Sequence, residues 1–239
     1  EWALDDRNAP RALELLNELP TGVARRTHAL RLRLQAAKLG GQAQDALKTA
    51  RQLVKHQGFS KAAAQGLLRS LASETLAHAH DIDQLRRTWL GFDAADRRDP
   101  YVAACAASRA VALDAPDEAR TWLRPFWEHL DELGSDERTI VAEALADAVA
   151  GLGAEWLPRL EAAAQAFPRD GAIALAVGMG LVERQLWGKA GLLLEQAASD
   201  LGLSSAHRRR AWVALARLAQ REGDAPRAAL SFEAAARLA

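Results

Sequence analysis

Apolar residues recur along this chain at the spacing of amphipathic helices, and small residues recur at a longer period. In one stretch the apolar positions run large, large, small and small on one helix, then small and aromatic on the next: Trp212, Leu215, Ala216, Ala219, Ala228 and Phe232. Positions equivalent to Ala228 follow backwards at intervals of 38, 34, 37, 34, 39 and 34 residues, at Ala190, Trp156, Ala119, Leu85, Ala46 and Ala12. Such a period indicates stacked repeats, because each unit buries its apolar face only against its neighbours.

This order and period are typical of the tetratricopeptide repeat, a pair of antiparallel helices. The sequence therefore predicts an all-α, right-handed, tetratricopeptide-like superhelical solenoid of about six to seven helical hairpins. We expect a single repeat domain over residues 1–239, with an irregular hairpin at about 59–99.

Three predicted helix starts share one short sequence, an Asn or Asp followed by Ala and Pro, at residues 8–10, 114–116 and 224–226. An Asn or Asp side chain at the N-cap accepts hydrogen bonds from the first backbone N–H groups, and proline suits the first helical turn. We predict the same cap at all three positions.

The composition agrees with a packed, helical chain. Hydrophobic residues make up 49% and charged residues 26% of the chain, and strand-forming residues are sparse. The 31 basic and 31 acidic residues give a formal net charge of +0, which argues against a nucleic-acid partner held by bulk phosphate attraction. The single cysteine, Cys105, excludes a disulfide framework within the chain and a cysteine-rich zinc site.

The chain carries no recognisable catalytic motif. It has no Walker loop and no Gly-x-Ser-x-Gly, and Gly178-Met179-Gly180 lacks both a third glycine and a preceding strand. The six histidines show no metal-ligand spacing, because His78 and His80 fall on different faces of one helix. We predict no enzyme activity and no metal. One histidine as axial ligand of a loosely held haem stays open, although covalent attachment is excluded by the lack of Cys-x-x-Cys-His.

Most tryptophans fall on or beside framework positions of their hairpins, where a large ring contributes to packing between repeats. We expect Trp89, Trp122, Trp156, Trp187 and Trp212 to pack in this way. Trp127 falls on another face from Trp122 and is a candidate for an exposed contact residue.

The concave face of a tetratricopeptide solenoid comes mainly from the first helix of each hairpin. Register counting along those helices predicts a groove with basic ends and an apolar middle. The predicted electrostatic contacts are Arg31, Lys38, Arg138, Arg217 and Arg221, and the predicted apolar floor is Val141, Leu145, Leu175 and Met179. Such a groove suits a peptide with an apolar core and acidic flanks. Alternatively, the apolar stripe packs against the next superhelical turn or a second copy of the chain.

Two stretches in the second half of the chain carry a resemblance to a known family. They are Trp156-Leu157-Pro158-Arg159-Leu160, leading to Phe167-Pro168, and Gln185-Leu186-Trp187-Gly188-Lys189-Ala190, leading to Leu194-Glu195-Gln196. Together with Trp2-Ala3-Leu4 and Ala12-Leu13-Glu14-Leu15-Leu16, they resemble HemY, the proteobacterial tetratricopeptide family associated with haem biosynthesis. The first residues also read as the end of a helix already under way, so we expect further residues before Glu1.

HemY proteins carry two transmembrane helices ahead of their repeats. The resemblance therefore implies an N-terminal anchor in the inner membrane, with the repeat domain on the cytoplasmic side. It also implies a non-catalytic scaffold that binds late haem-biosynthesis enzymes such as ferrochelatase, and it gives no catalytic residue to carry over. Two alternatives stay open: a haem-binding carrier that uses a single His ligand, and a tetratricopeptide module of cell-envelope assembly unrelated to haem.

Overall fold

The computed structural model of this chain describes residues 2–56 and 59–238. Every regular element in these two ranges is helical, and none of their residues lies in a strand. The all-α prediction is confirmed, with helices that pack in neighbouring pairs. The chain divides into two compact units, unit 1 up to Arg98 and unit 2 from Asp99.

Unit 1 contains eight described helices: α1 (Trp2–Asp5), α2 (Ala9–Asn17), α3 (Thr21–Ala24), α4 (Thr27–Leu39), α5 (Ala43–Lys55), α6 (Lys61–Ala77), α7 (Ile82–Leu90) and α8 (Ala94–Arg97). Consecutive helices pack on one another: α2 contacts α1 and α4, α4 contacts α5, and α5 contacts α6. Arg51 of α5 pairs with Asp96 of α8 and lies 5.7 Å from the ring centre of Phe92, which ties α5 to the end of this unit.

Unit 2 contains eight further helices: α9 (Pro100–Ala112), α10 (Pro116–Trp127), α11 (Ser135–Asp147), α12 (Leu157–Ala166), α13 (Gly171–Glu183), α14 (Trp187–Ser199), α15 (Ser205–Glu222) and α16 (Ala225–Ala236). Short 3-10 turns lie at Leu130–Glu132 and Ala154–Trp156. The first helices of successive pairs form one layer, since α11 packs against both α9 and α13.

The centre of unit 2 is α13. Its sequence, GAIALAVGMGLVE, has no polar face until its last residue, and a helix that is apolar all round is stable only when it is enclosed. Ten of its 13 residues are buried, against α11, α12, α14 and α15.

Two glycines allow the second helices to approach α13 closely. A Cβ on Gly180 would lie 2.6 Å from Leu160 Cδ1 of α12, and a Cβ on Gly178 would lie 2.9 Å from Leu194 Cγ of α14. Both leucines are fully buried in the core of unit 2. The Gly178-Met179-Gly180 string therefore serves helix packing.

Ion pairs join the second helices of successive pairs in unit 2. Arg159 Nε lies 2.8 Å from Glu128 just after α10, Lys189 of α14 lies 3.0 Å from Glu161 of α12, and Arg227 of α16 lies 2.8 Å from Glu195 of α14. The hydrogen bond from Arg159 lowers the pKa of Glu128 from its ordinary value. These contacts recur at about one repeat length.

Two of the three expected N-caps are confirmed. Asn8 accepts the N–H of Arg11 at 3.1 Å, and Asp224 accepts the N–H of Arg227 at 3.0 Å. The third is wrong, because the N-cap of α10 is Ala115, which makes no side-chain cap. Each of these turns needs one residue with positive φ. Arg7 (φ 53°) and Gly223 (φ 77°) take that role just before the cap, whereas at α10 Asp114 itself takes it, at φ 58°.

The tryptophans mostly follow the packing expectation. Trp89, Trp122 and Trp156 are buried, while Trp187 and Trp212 are half-buried. Trp127 is 3% exposed, so the expectation of an exposed contact residue is wrong. Its indole N–H donates to the carbonyl oxygen of Arg159 at 3.3 Å, because the next second helix, α12, reaches its ring.

Candidate partner-binding groove

A groove with a volume of about 860 Å³ opens in unit 2. It lies where three successive first helices come together: the start of α9, the first half of α11 and the start of α13. The loops that lead into α13 and α15 complete its walls. All of its lining residues belong to unit 2.

The floor of the groove carries apolar side chains, within a lining that is slightly more polar than apolar as a whole. Tyr101 of α9, Ile140 of α11 and Phe167 of the loop before α13 are half-buried, and Leu203 of the loop before α15 is buried. The three half-buried side chains present accessible apolar surface beside a polar rim, so the groove offers both apolar and polar contacts to a bound segment.

Two carboxylates occupy the start of α13. Asp170 is the N-cap and accepts the N–H groups of Ala172 and Ile173 at 3.1 and 3.2 Å. Asp200, the residue directly after α14, accepts the N–H of Gly171 at 3.1 Å. The backbone N–H groups that have no partner within the helix at its start therefore donate to side chains of the same chain. These side chains also place negative charge where the helix dipole favours it.

Glycine at position 171 makes room for the second carboxylate. A Cβ at this position would lie 2.1 Å from Asp200 Oδ2. Asp200 is held from its other oxygen as well, which accepts the N–H of Gly202 at 2.8 Å. The start of α13 and the loop before α15 are thus fixed to each other.

Arg138 of α11 is tied into the wall of the groove. Its Nε lies 2.8 Å from Asp170 Oδ2, and its guanidinium lies 4.5 Å from the ring centre of Phe167. A third contact runs to the carbonyl oxygen of Leu133 at 3.4 Å. The ion pair and the cation–π contact hold this side chain between the starts of α11 and α13.

A polar ladder joins α11 to α15 across the first-helix layer. His207 Nδ1 lies 2.9 Å from Glu143 Oε1, and Arg210 pairs with Asp147. The two acidic residues are one helical turn apart on α11, and the two basic residues are nearly one turn apart on α15. Burial lowers the pKa of Arg210. These pairs connect the helices on either side of α13.

The groove carries more negative than positive charge. Its lining includes four carboxylates, Asp136, Glu143, Asp170 and Asp200, and two guanidinium groups, Arg138 and Arg169, for a formal balance of +2 − 4 = −2. Asp170 is paired with Arg138, and Glu143 with His207. Asp136 and Arg169 are exposed, and neither has an ion-pair partner among residues 2–56 and 59–238.

Of the residues that register counting predicts for the groove, only Arg138 lines it. Val141, Leu145 and Leu175 are each 0% exposed, so these three are core residues of unit 2 and a partner cannot contact them there. Met179 is half-buried on α13. The prediction that these three residues form a floor is wrong: Leu175 lies on the enclosed helix α13, and Val141 and Leu145 lie on α11, which packs between α9 and α13.

The two basic residues predicted on α15 are exposed. Arg221 lies with its guanidinium 4.1 Å from the ring centre of Trp187, where a cation–π contact and ring packing hold it. Arg217 lies one helical turn earlier on the same helix. Neither lines the groove described above.

The remaining two predicted contacts lie in unit 1. Arg31 and Lys38 are on α4, and both are exposed. Their contact with a partner stays a prediction.

The histidines are spread over several helices. His28, His56, His78, His80 and His129 are exposed, and His207 is half-buried in the ladder between α11 and α15. A hydrogen bond to the carbonyl oxygen of Pro125 raises the pKa of His129. Within the described ranges, no three His, Cys, Asp or Glu side chains are grouped so that they could hold a metal ion.

Register counting missed the residues at helix starts and in loops. Asp136, Phe167, Arg169 and Asp200 line the groove, and none of them occupies a repeating position on a first helix. The string Phe167-Pro168-Arg169-Asp170-Gly171 is a signal that could have found part of the site. It combines a turn, an N-cap and a glycine just before the most apolar helix of the chain.

No helix in the described part of the chain combines the length and the apolar composition needed to cross a bilayer. Comparison with protein-family models, with curated proteins and with solved structures finds no match to this chain.

Proposed function

We propose that this protein is a non-catalytic scaffold that binds a segment of a partner protein in the groove of unit 2. The observation that carries this proposal is the groove itself: an open cleft of about 860 Å³ with an apolar floor and exposed, unpaired charges at Asp136 and Arg169. An apolar floor contributes affinity, and charged rims contribute orientation and selectivity.

The architecture supports a positioning role. Non-covalent contacts connect the walls: the ion pair of Arg138 with Asp170, the hydrogen bond from Gly171 to Asp200, and the ladder between α11 and α15. A preformed cleft of this kind loses little conformational freedom when it binds. A scaffold then acts by raising the effective concentration of the proteins it holds.

The same proposal includes the finer architecture. The helix pairs are arranged as a right-handed, tetratricopeptide-like superhelical solenoid of about six to seven hairpins. It is supported by the repeat period of the sequence and by neighbouring helix pairs within each unit.

The resemblance to HemY supplies the partner class. We infer that the full-length protein is anchored in the inner membrane, with its repeats on the cytoplasmic side, and that it organises late haem-biosynthesis enzymes such as ferrochelatase. Two of the residues that carry the resemblance have structural positions: Gln185 has φ 61° in the turn between α13 and α14, and Trp187 begins α14.

Photo-cross-linking in cells tests the scaffold and its partner together. A photoreactive residue replaces Thr139, which lines the groove, in the full-length protein. The matched control replaces Leu192 of α14, which is 73% exposed and lies outside the groove. We expect discrete partners from position 139 that are missing from position 192, with haem-biosynthesis enzymes among them.

Recovery of cell-envelope assembly proteins alone would keep the scaffold and remove the haem-related partner class. Identical products from the two positions, or none from position 139, would show that the groove is not the binding site.

A further inference from the structure

We propose that the groove of unit 2 selects a basic segment of its partner, one in which a lysine or arginine stands beside an apolar side chain. This inference rests on the proposed scaffold function and adds the chemistry of the bound segment. It differs from the acidic-flanked peptide that the sequence predicts, because the residues that line the groove differ from those that register counting gives.

The first observation is that the start of α13, one of the helix starts that line the groove, is closed to anions. Exposed N–H groups at a helix start bind phosphates and carboxylates. At α13 those of Gly171, Ala172 and Ile173 already donate to Asp170 and Asp200. A partner carboxylate or phosphate at this point would meet two carboxylates and no free donor.

The second observation is the charge that remains after internal pairing. Arg138 is held by Asp170 and by the ring of Phe167, and Glu143 Oε1 lies 2.9 Å from His207 Nδ1, which also lies 2.8 Å from Ser204 Oγ. Asp200 accepts only backbone N–H groups, so its negative charge has no side-chain cation against it in the described ranges. With Asp136, two carboxylates face a single unpaired cation, Arg169. A positive side chain of the partner complements this surplus.

The third observation is the floor. Tyr101 and Ile140 offer partly accessible apolar surface, and Asp136 lies one turn before Ile140 on α11. Residues four apart on a helix lie on the same face. Two neighbouring residues of one bound segment can therefore make both contacts, one with an apolar side chain packed on Ile140 and the other with a cation beside Asp136.

Selection from a library of phage-displayed linear peptides tests this chemistry directly. The target is the full chain, and a parallel selection uses the chain with Arg169→Gln. We expect the enriched peptides to share a lysine or arginine next to an apolar residue and to carry net positive charge. Enriched peptides with net negative charge that compete for the groove would overturn the inference while leaving the scaffold function in place.

One enriched peptide is then labelled with fluorescein, and its affinity is measured for variants of the protein. The changes in affinity show whether the groove attracts positive or negative charge. We expect Asp136→Asn to weaken binding about two- to fivefold and Arg169→Gln to strengthen it by a similar factor, the range for exposed charge pairs. Both effects should shrink as salt is added. The matched control is Asp131→Asn, an exposed charge in unit 2 that lies outside the groove, and it should leave the affinity unchanged.

All three positions are exposed, so the variants should fold, and their circular dichroism melting curves check this. The reverse pattern, with Arg169→Gln weakening binding, would show that the groove takes an acidic segment. Equal losses for Asp136→Asn and Asp131→Asn would show that binding follows overall charge and not this groove. The absence of any enriched peptide, together with no cross-link from position 139, would instead remove the proposed function.

Discussion

At the scale of single residues, charged side chains fix the start of α13 in unit 2. Asp170 serves two partners at once, because one oxygen caps α13 and the other accepts from Arg138. Both side chains of this pair are mostly buried, at 17% and 18% exposure. A pair with restricted motion and little water contributes more than an exposed one.

Substitutions at position 170 should separate the cap from the charge. We expect Asp170→Asn to keep the cap and to lower the free energy of unfolding by about 0.5–1 kcal/mol, through loss of the ion pair. Asp170→Ala removes both and should cost about 1–3 kcal/mol. Urea denaturation measures both. Asp224→Ala, which removes a cap at an exposed helix start, is the comparison, and equal losses for the Asn and Ala variants at position 170 would contradict the role of the cap.

At the scale of elements, close packing of second helices on α13 determines the shape of unit 2. Gly178 and Gly180 remove the side chains that would keep α14 and α12 apart from it. Glycine inside a helix costs roughly 0.5–1 kcal/mol relative to alanine, so its presence here is explained by the close approach. The exposed ion pairs between second helices contribute little in comparison.

Alanine at position 180 should therefore be destabilising despite its higher helix propensity. The new methyl group would overlap Leu160, and overpacking a filled core costs about 1–3 kcal/mol against a gain of up to about 1 kcal/mol. We expect a net loss of about 1–2 kcal/mol for Gly180→Ala, measured by chemical denaturation. Gly191→Ala in α14 has no atom within 4 Å of its new Cβ and should be stabilising. A stabilised Gly180→Ala variant would show that α12 does not approach α13 this closely.

How far the sequence predicted these elements depends on the kind of signal. The apolar period, the prolines and the glycines predicted helix pairs, because each acts within a few residues. The residues on the concave face were harder to predict from the sequence. Val141 and Leu175 are apolar because they are buried within the layer of first helices, and not because they contact a ligand. Asp136 belongs to a helix start and Asp200 to a loop, where no repeat period applies. That both line one groove is visible only from the packing of α11, α13 and the loop before α15.

At the scale of the whole molecule, global and local charge differ. The formal net charge is +0, while the groove has a balance of −2. Recognition of a charged segment therefore depends on a local field, which salt screens within about 10 Å at ordinary ionic strength. All of the groove's residues belong to unit 2, which has its own core.

Residues 99–239 alone should consequently fold and keep the groove. We expect a helical circular dichroism spectrum, a cooperative melting transition, and peptide affinity within about threefold of the full chain, since only weak long-range charge effects are lost. Residues 1–98 are the matched control and should not bind the same peptide. An unfolded 99–239 fragment would show that unit 2 requires the preceding helices.

The contact between Asp200 and Gly171 also affects the order in which the chain can complete its structure during translation. The carboxylate that satisfies the first N–H of α13 is encoded 29 residues after it. A ribosome-bound chain that has emerged only as far as Glu183 contains all of α13 but lacks this acceptor. The start of α13 therefore gains its last acceptor, and its apolar faces gain their cover from α14, only after the chain has been synthesised to Asp200.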